Sequence, residues 1–304
     1  RPSRDDTHDL RVFEAKLIHQ FNYRFGDYRQ KQAGAAGTSL PDVPEEFLLD
    51  PTHEIQPRYW IGRGAVRQRL PPGWGHSWLL VWRDICRSFD ERTVISAVVP
   101  LSGTDFTLRV GTLLTPGHAP LLLATFNSFV FDFVARQKLG GTHLSDYVLK
   151  QLPVPSPSAF DEIPGFTGEV LWRWVLPRVM ELSFVAWDLE GLAVDLGYRS
   201  PPFKWNAERR FLLRCELDAA FFHLYGLSRD DVDYVMETFP IVKRKDEAAH
   251  GEYRTKRVIL EIYDAMAEAM RSGIPYQTRL DPPPADPRVA HPESTRPAWA
   301  RKPS

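Results

Sequence analysis

The chain has 304 residues, 43% hydrophobic and 25% charged, with a formal net charge of −1. That length suits about two domains on a prior of roughly 150 residues each, and nine Trp and 18 Phe exclude a disordered composition. Near-neutral charge excludes a uniformly basic nucleic-acid binder while leaving room for a local basic face. No run of about 18 apolar residues offers a membrane span, and no signal peptide opens the chain. Cys86 and Cys215 form neither a CxxC pair nor a zinc pattern. They are expected to be buried free thiols in the cytoplasm. Because the first residue is Arg1 and not Met, the chain is expected to begin inside a longer reading frame or after processing.

In chain order, residues 1–30 are predicted helical, since Phe13, Leu17, Ile18, Phe21 and Phe25 recur at helical spacing. Residues 31–57, rich in Gly, Ala and Pro, are predicted to form a loop. Strands are predicted at Leu79–Arg83, at Thr93–Pro100 with its β-branched run, and at Thr107–Leu114, closed by the breaker Thr115-Pro116-Gly117. One helix is predicted over Leu121–Lys138, ended by Gly140-Gly141. Thr142 is expected to cap a short helix running to Lys150. Pro153, Pro155 and Pro157 then mark a domain boundary. Beyond it, helices are predicted over Val170–Leu196, Asn206–Tyr225, Arg229–Phe239 and Tyr253–Arg271. The Pro-rich, charged stretch from Asp281 to Ser304 is expected to be disordered.

The constellations that carry chemistry are few. Ser200-Pro201-Pro202-Phe203 looks like the S/N/D-P-P-Y/F motif with which amino-methyltransferases grip a flipped base. That motif needs a preceding doubly wound sheet with a Gly-rich turn, and none precedes it here. The better reading is a Pro-Pro lead-in to the helix starting near Asn206. Asp230, Asp231, Glu237 and Lys243 read better as a solvated helix face than as a nuclease metal site. No G-x-S-x-G, H-E-x-x-H or P-loop is present.

Basic residues interleave with aromatics in three places. The first cluster is Arg58, Tyr59, Trp60, Arg63, Arg67 and Arg69, with Arg63 and Arg67 on one face if that stretch is helical. The second is Arg83, Arg87 and Arg92, leading with Thr93 into TVISAVVP. Arginine suits both phosphate contact and bidentate reading of guanine edges. The third is Lys243, Arg244 and Lys245, followed by Arg254, Lys256 and Arg257. It brackets Gly251 and is read as a loop able to grip phosphates. Asn127 has the donor and acceptor to read adenine. A buried Asn bonded to backbone is the preferred reading, given the apolar run around it.

Residues Leu121–Pro155, LLLATFNSFVFDFVARQKLGGTHLSDYVLKQLPVP, give an apolar helix, a Gly-Gly-Thr turn, a short helix and a proline-rich exit. That order resembles the end of a target-recognition domain, as in the specificity subunits of type I restriction systems. With FEAKLIHQFNYRFGDY, PRYWIG, WLLVWRDICRSFDERTVISAVVP, PPFKWNAERRFLLRCELDAAFFHLYGL, YVMETFPIVKRKDE and GEYRTKRVILEIYDAM, the chain resembles the C-terminal half of large bacterial N6-adenine DNA methyltransferases. These occur in type IIG and in BREX- and DISARM-like phage-defence systems. The resemblance covers most of residues 12–270. It implies a chain that selects the double-stranded DNA site, while S-adenosylmethionine and the catalytic residues belong to a catalytic domain outside it. No catalytic, cofactor or metal residue is carried over.

The expected architecture is therefore α+β. A mixed α/β target-recognition domain occupies residues 1–155, an all-α helical domain residues 156–278, and a disordered tail residues 279–304. The expected DNA-binding residues are Arg58, Arg63, Arg67, Arg69, Arg83, Arg87, Arg92, Lys243, Arg244 and Lys245. The alternative readings are an interaction module of a phage-defence complex and an inactive methyltransferase remnant.

Overall fold

The computed structural model describes residues 9–31, 39–113 and 115–300. The architecture is α+β, with two small sheets set against a helical body. The opening segment departs from the helix its spacing predicts. Strand β1 (Asp9–Phe13) is followed by a 3-10 turn at Ala15–Leu17 and a reversal in which His19 pairs with Asn22. Phe13, Leu17, Ile18 and Phe21 are all buried, as their periodicity requires. The chain buries them by folding back on itself: a side chain at Gly26 would come within 2.5 Å of the Lys16 carbonyl. Tertiary pairing overrides helical periodicity here.

Residues 32–38 of the expected loop lie outside the described residues; the rest includes the short helix α1 (Glu45–Leu49). Its C-terminal carbonyls are held by the buried Arg24, which donates to Leu48 O at 2.7 Å and Asp50 O at 2.8 Å. Strand β2 (Tyr59–Gly62) runs directly into helix α2 (Arg63–Arg67). The remaining strands are β3 (Trp78–Arg83), β4 (Ser96–Pro100), β5 (Gly103–Thr104) and β6 (Leu108–Gly111). All three predicted strands are thus present, β3 starting one residue earlier than predicted and β4 and β6 shorter; Leu114 lies outside the described residues. The sheets are ordered β2-β1-β5 and β4-β3-β6. In the first, β1 runs antiparallel to β2 and parallel to β5; in the second, β3 is antiparallel to both neighbours.

The single helix predicted over Leu121–Lys138 is two helices, α3 (His118–Asn127) and α4 (Phe129–Lys138), bent by 67° at Ser128. Ser128 has extended backbone, ends α3 and caps α4 by accepting from the Phe131 N–H. Helix α4 ends on Leu139 in extended conformation, not on a left-handed glycine at Gly140-Gly141. Ser145, not Thr142, caps the short helix α5 (Asp146–Leu149). Among the described residues no single helix is long and apolar enough to cross a membrane.

In the second half, the helix predicted over Val170–Leu196 divides into α6 (Leu171–Ser183) and α7 (Glu190–Asp195), separated by an extended turn at Phe184–Ala186 and a 3-10 turn. Helices α8 (Ala207–Leu224), α9 (Arg229–Glu237) and α11 (Arg254–Ser272) match their predictions to within two residues. Asn206 caps α8, and Ser228 with Asp231 forms a capping box on α9. Between α9 and α11 the expected basic loop is a helix, α10 (Pro240–His250), with Pro240 in its first turn and Gly251 at φ +75° closing it. Only Val242 of α10 is buried. A helix polar almost all round shows no apolar stripe to read, although its Lys, Glu and Ala are good helix formers.

One hydrophobic core draws on both sides of residue 155, from Phe13, Trp78 and Val99 to Phe222, Ile259 and Met266, so the proline-rich exit does not separate two cores. The tail does not follow its expectation. Residues 279–300 pack on the body: Leu280 and Ala290 are buried in the core, and Ala290 bridges Phe203. The Pro282 carbonyl accepts from Arg209 at 2.9 Å and the Ala285 carbonyl from the Tyr198 hydroxyl at 3.1 Å. A proline-rich strap loses little backbone entropy on ordering, so a few anchors suffice. Deleting residues 279–304 should cost a few kcal/mol, at about 1.5–3 kcal/mol per buried apolar side chain. An unchanged urea midpoint in the truncated chain would contradict this packing.

Candidate functional site

The three basic clusters meet different fates. Arg83 points inward: it donates to the Ile18 carbonyl and lies over the Phe25 ring, and burial pulls its guanidinium down to about 10. Arg92 is buried. It donates from Nε to Asp132 at 2.7 Å and from Nη2 to the Asn127 carbonyl at 2.7 Å, and it stacks 3.9 Å over Phe129. Both are held by the fold, Arg83 on a backbone carbonyl and Arg92 on a carboxylate and a carbonyl. Arg87 alone of that cluster is exposed, over the Phe89 ring. In the third cluster Lys243 pairs with Glu237 at 2.9 Å, Lys245 pairs with Glu91, and Lys256 and Arg257 pair with neighbouring carboxylates. Arg244 is exposed. The basic run on α10 is thus a largely neutralised helix face.

The first cluster keeps its expected form. Arg58, Tyr59 and Trp60 lie at the start of β2, an edge strand, with the two rings 49% and 44% exposed. Arg58 sits 5.0 Å over Tyr59. Arg67 and Arg69 are exposed at the end of α2, and Arg63 is half-buried, its Nε enclosed and without a hydrogen-bond partner among the described residues. The result is a ledge of guanidinium groups and aromatic faces. Phe203 of the S-P-P-F sequence, by contrast, is fully buried, so its ring cannot stack on a base. Asp230 and Glu237 are both exposed on α9, as the solvated-face reading expects.

A second site has no counterpart among the sequence expectations. The bend between α3 and α4 interrupts helical hydrogen bonding and exposes backbone groups that must find partners. The Asn127 carbonyl accepts from Gln20 Nε2 at 3.0 Å and from Arg92; the Phe129 N–H donates to Asp218 Oδ1 at 2.8 Å. The Asn127 side chain binds the Ser96 N–H and carbonyl, each at 3.0 Å, which is the backbone role preferred for it. Around this knot lies a cavity of about 180 Å³, lined by the turn at His19–Phe21, the start of α4, one face of α8 and the rim of α10. Phe21 has φ +57°, a region bulky residues rarely occupy. Strain of this kind gathers where a site over-determines the backbone.

The electrostatics of the cavity are mixed. Arg92, Arg214 and Lys245 face Glu91, Asp218 and Asp246, and burial holds His19 well below its usual range, in its neutral form. Arg214 and Asp218 stand one turn apart on α8. Their sequence signal was the phase of Arg210, Arg214 and Asp218, charged residues at every fourth position of α8 and so on one face of it. Comparison with protein-family models, with curated proteins and with solved structures finds no match for the chain.

Burial raises the Asp218 carboxyl from 3.8 to about 6, against the opposing pull of Arg92 and the Phe129 N–H. Its folded pKa lies above its unfolded one. The stability it contributes is therefore complete below about pH 4 and lost as pH rises through about 6. Asp218→Asn keeps an acceptor for Phe129 and removes the charge. Relative to wild type, it should flatten the urea midpoint between pH 4 and 7 and raise stability at pH 7. Parallel pH profiles of the two proteins would contradict the assignment.

Proposed function

We propose that this chain binds double-stranded DNA through the Arg58–Arg69 ledge, as the site-selecting portion of an N6-adenine methyltransferase. Catalysis and S-adenosylmethionine would belong to a separate catalytic domain. The observation that supports this is the ledge itself: exposed guanidinium groups beside two exposed aromatic rings on a sheet edge. Arginine supplies phosphate affinity and bidentate base contacts, and the rings offer flat apolar faces to sugar or base. The reading narrows the sequence expectation. Arg58, Arg67, Arg69 and Arg87 are retained as DNA contacts on their exposure, with Arg63 half-buried in the ledge; Arg83 and Arg92 are assigned to the fold, and the run Lys243–Lys245, of which Arg244 is exposed, is set aside as a largely neutralised helix face.

A protein-interaction role is supported by a different surface. Phe106 and Tyr147 are 80% and 78% exposed, on segments flanking Ile85. Hydrogen bonds from Asp84 N–H to Thr107 O and from Cys86 N–H to Thr142 O tie those segments together. Exposed aromatics of this size fit a surface that another subunit covers.

Fluorescence anisotropy on a random-sequence duplex and a duplex library, across salt concentrations, separates the two readings. DNA binding should weaken steeply with salt. Arg58→Ala/Arg67→Ala/Arg69→Ala should lower the log–log slope by about 0.9 for each phosphate that is no longer neutralised. Absence of binding at low salt on every duplex would remove the DNA reading in favour of the interaction surface.

A further inference from the structure

Each of the buried arginines Arg24, Arg92, Arg178 and Arg210 sets its guanidinium on carbonyl or carboxylate oxygens. This is what burial of a five-donor group demands. Arg214 breaks the pattern. It is half-buried and lines the cavity at the α3–α4 bend, yet it makes no hydrogen bond or ion pair among the described residues. The space before it, about 180 Å³, is more than ten times the ~10–15 Å³ that one ordered water requires.

The surroundings narrow what such a cation would meet. Asp218, one turn away on the same helix, uses Oδ1 for the Phe129 N–H and has no other side-chain hydrogen bond among the described residues. The lining carries three cations and three carboxylates, so a polyanion such as phosphate gains little there. Phe211, Leu217 and Val242 add apolar wall. An open planar fork, an open carboxylate oxygen and an apolar flank suit a molecule that bears both charges.

We propose that this cavity binds a small zwitterion of the amino-acid class, its carboxylate on the Arg214 guanidinium, its ammonium on Asp218 and its side chain against Phe211 and Leu217. The site is separate from the Arg58–Arg69 ledge, and either assignment stands or falls without the other.

The test is a thermal-shift screen of the full chain against the proteinogenic amino acids, followed by calorimetry on the best binder. Three probes are run beside it: the matching carboxylate without the amine, the matching amine without the carboxylate, and inorganic phosphate. The expected result is saturable binding of at least one amino acid, with each half-molecule weaker by about tenfold or more. Arg214→Gln should abolish binding, and Arg214→Lys, which keeps charge but loses the fork, should weaken it. No shift with any amino acid would overturn the proposal, as would equal binding of the carboxylate alone, tighter binding of phosphate, or undiminished binding by Arg214→Gln. The half-molecule comparison uses wild-type protein and decides the question even if the variants do not fold.

Discussion

The break between Asn127 and Ser128 is the constraint on which much of the structure depends. A straight helix over residues 118–138 would satisfy its own backbone. The bend leaves the Asn127 carbonyl and the Phe129 N–H without helical partners, and the chain supplies them from distant places: Gln20, Arg92 and Asp218. The Asn127 amide meanwhile fastens the bend to β4 through both backbone groups of Ser96. One interruption thus ties together the opening turn, the β3–β4 connection, the β4-β3-β6 sheet and α8. Each of these hydrogen bonds is worth about 1 kcal/mol net, but leaving a buried partner unmade costs about 1–3 kcal/mol. The knot therefore persists as a whole, and the cavity beside it follows from that.

Arginine does much of the internal fastening. Arg24 gathers the carbonyls of α1, Arg178 pairs with Glu216 at 2.8 Å, and Arg209 reaches both Glu181 and the Pro282 carbonyl of the strap. Arg92 and Arg136 share Asp132 while stacking on Phe129 and Phe239. A planar guanidinium suits this use because it meets several oxygens at once and tolerates an aromatic ring on its face. Buried pairs of this kind are weak contributors to net stability but costly to break on one side. For function, arginine-rich sequence overstates the basic surface. Residues 83–92 read as a DNA-contacting cluster, yet two of their three arginines are occupied by the protein itself.

The two candidate sites differ in physical character. The ledge is exposed, cationic and aromatic, built on an edge strand and a short helix. The cavity is a partly open recess, lined by equal numbers of cationic and carboxylate side chains and bordered by Phe21 at positive φ.

Much of the local structure was legible from the sequence. All three strand expectations found their elements in β3, β4 and β6, β4 on its β-branched residues, and apolar periodicity placed α8, α9 and α11. The α+β class followed from strands confined to the first part of the chain and helices dominating the second. The burial of Phe13, Leu17, Ile18 and Phe21 was legible too, but not the shape that buries them, because a tight reversal and a helix hide the same residues. The bend at Ser128 and helix α10 were out of reach for opposite reasons: one is an apolar run whose break is stabilised only by distant partners, the other a helix with almost no apolar face. The packed strap had no composition to announce it. Side-chain position decided the rest. Arg83, Arg92 and Arg214 are the same residue in the sequence, and only the tertiary structure determines that two are held by backbone or carboxylate oxygens and the third faces open space.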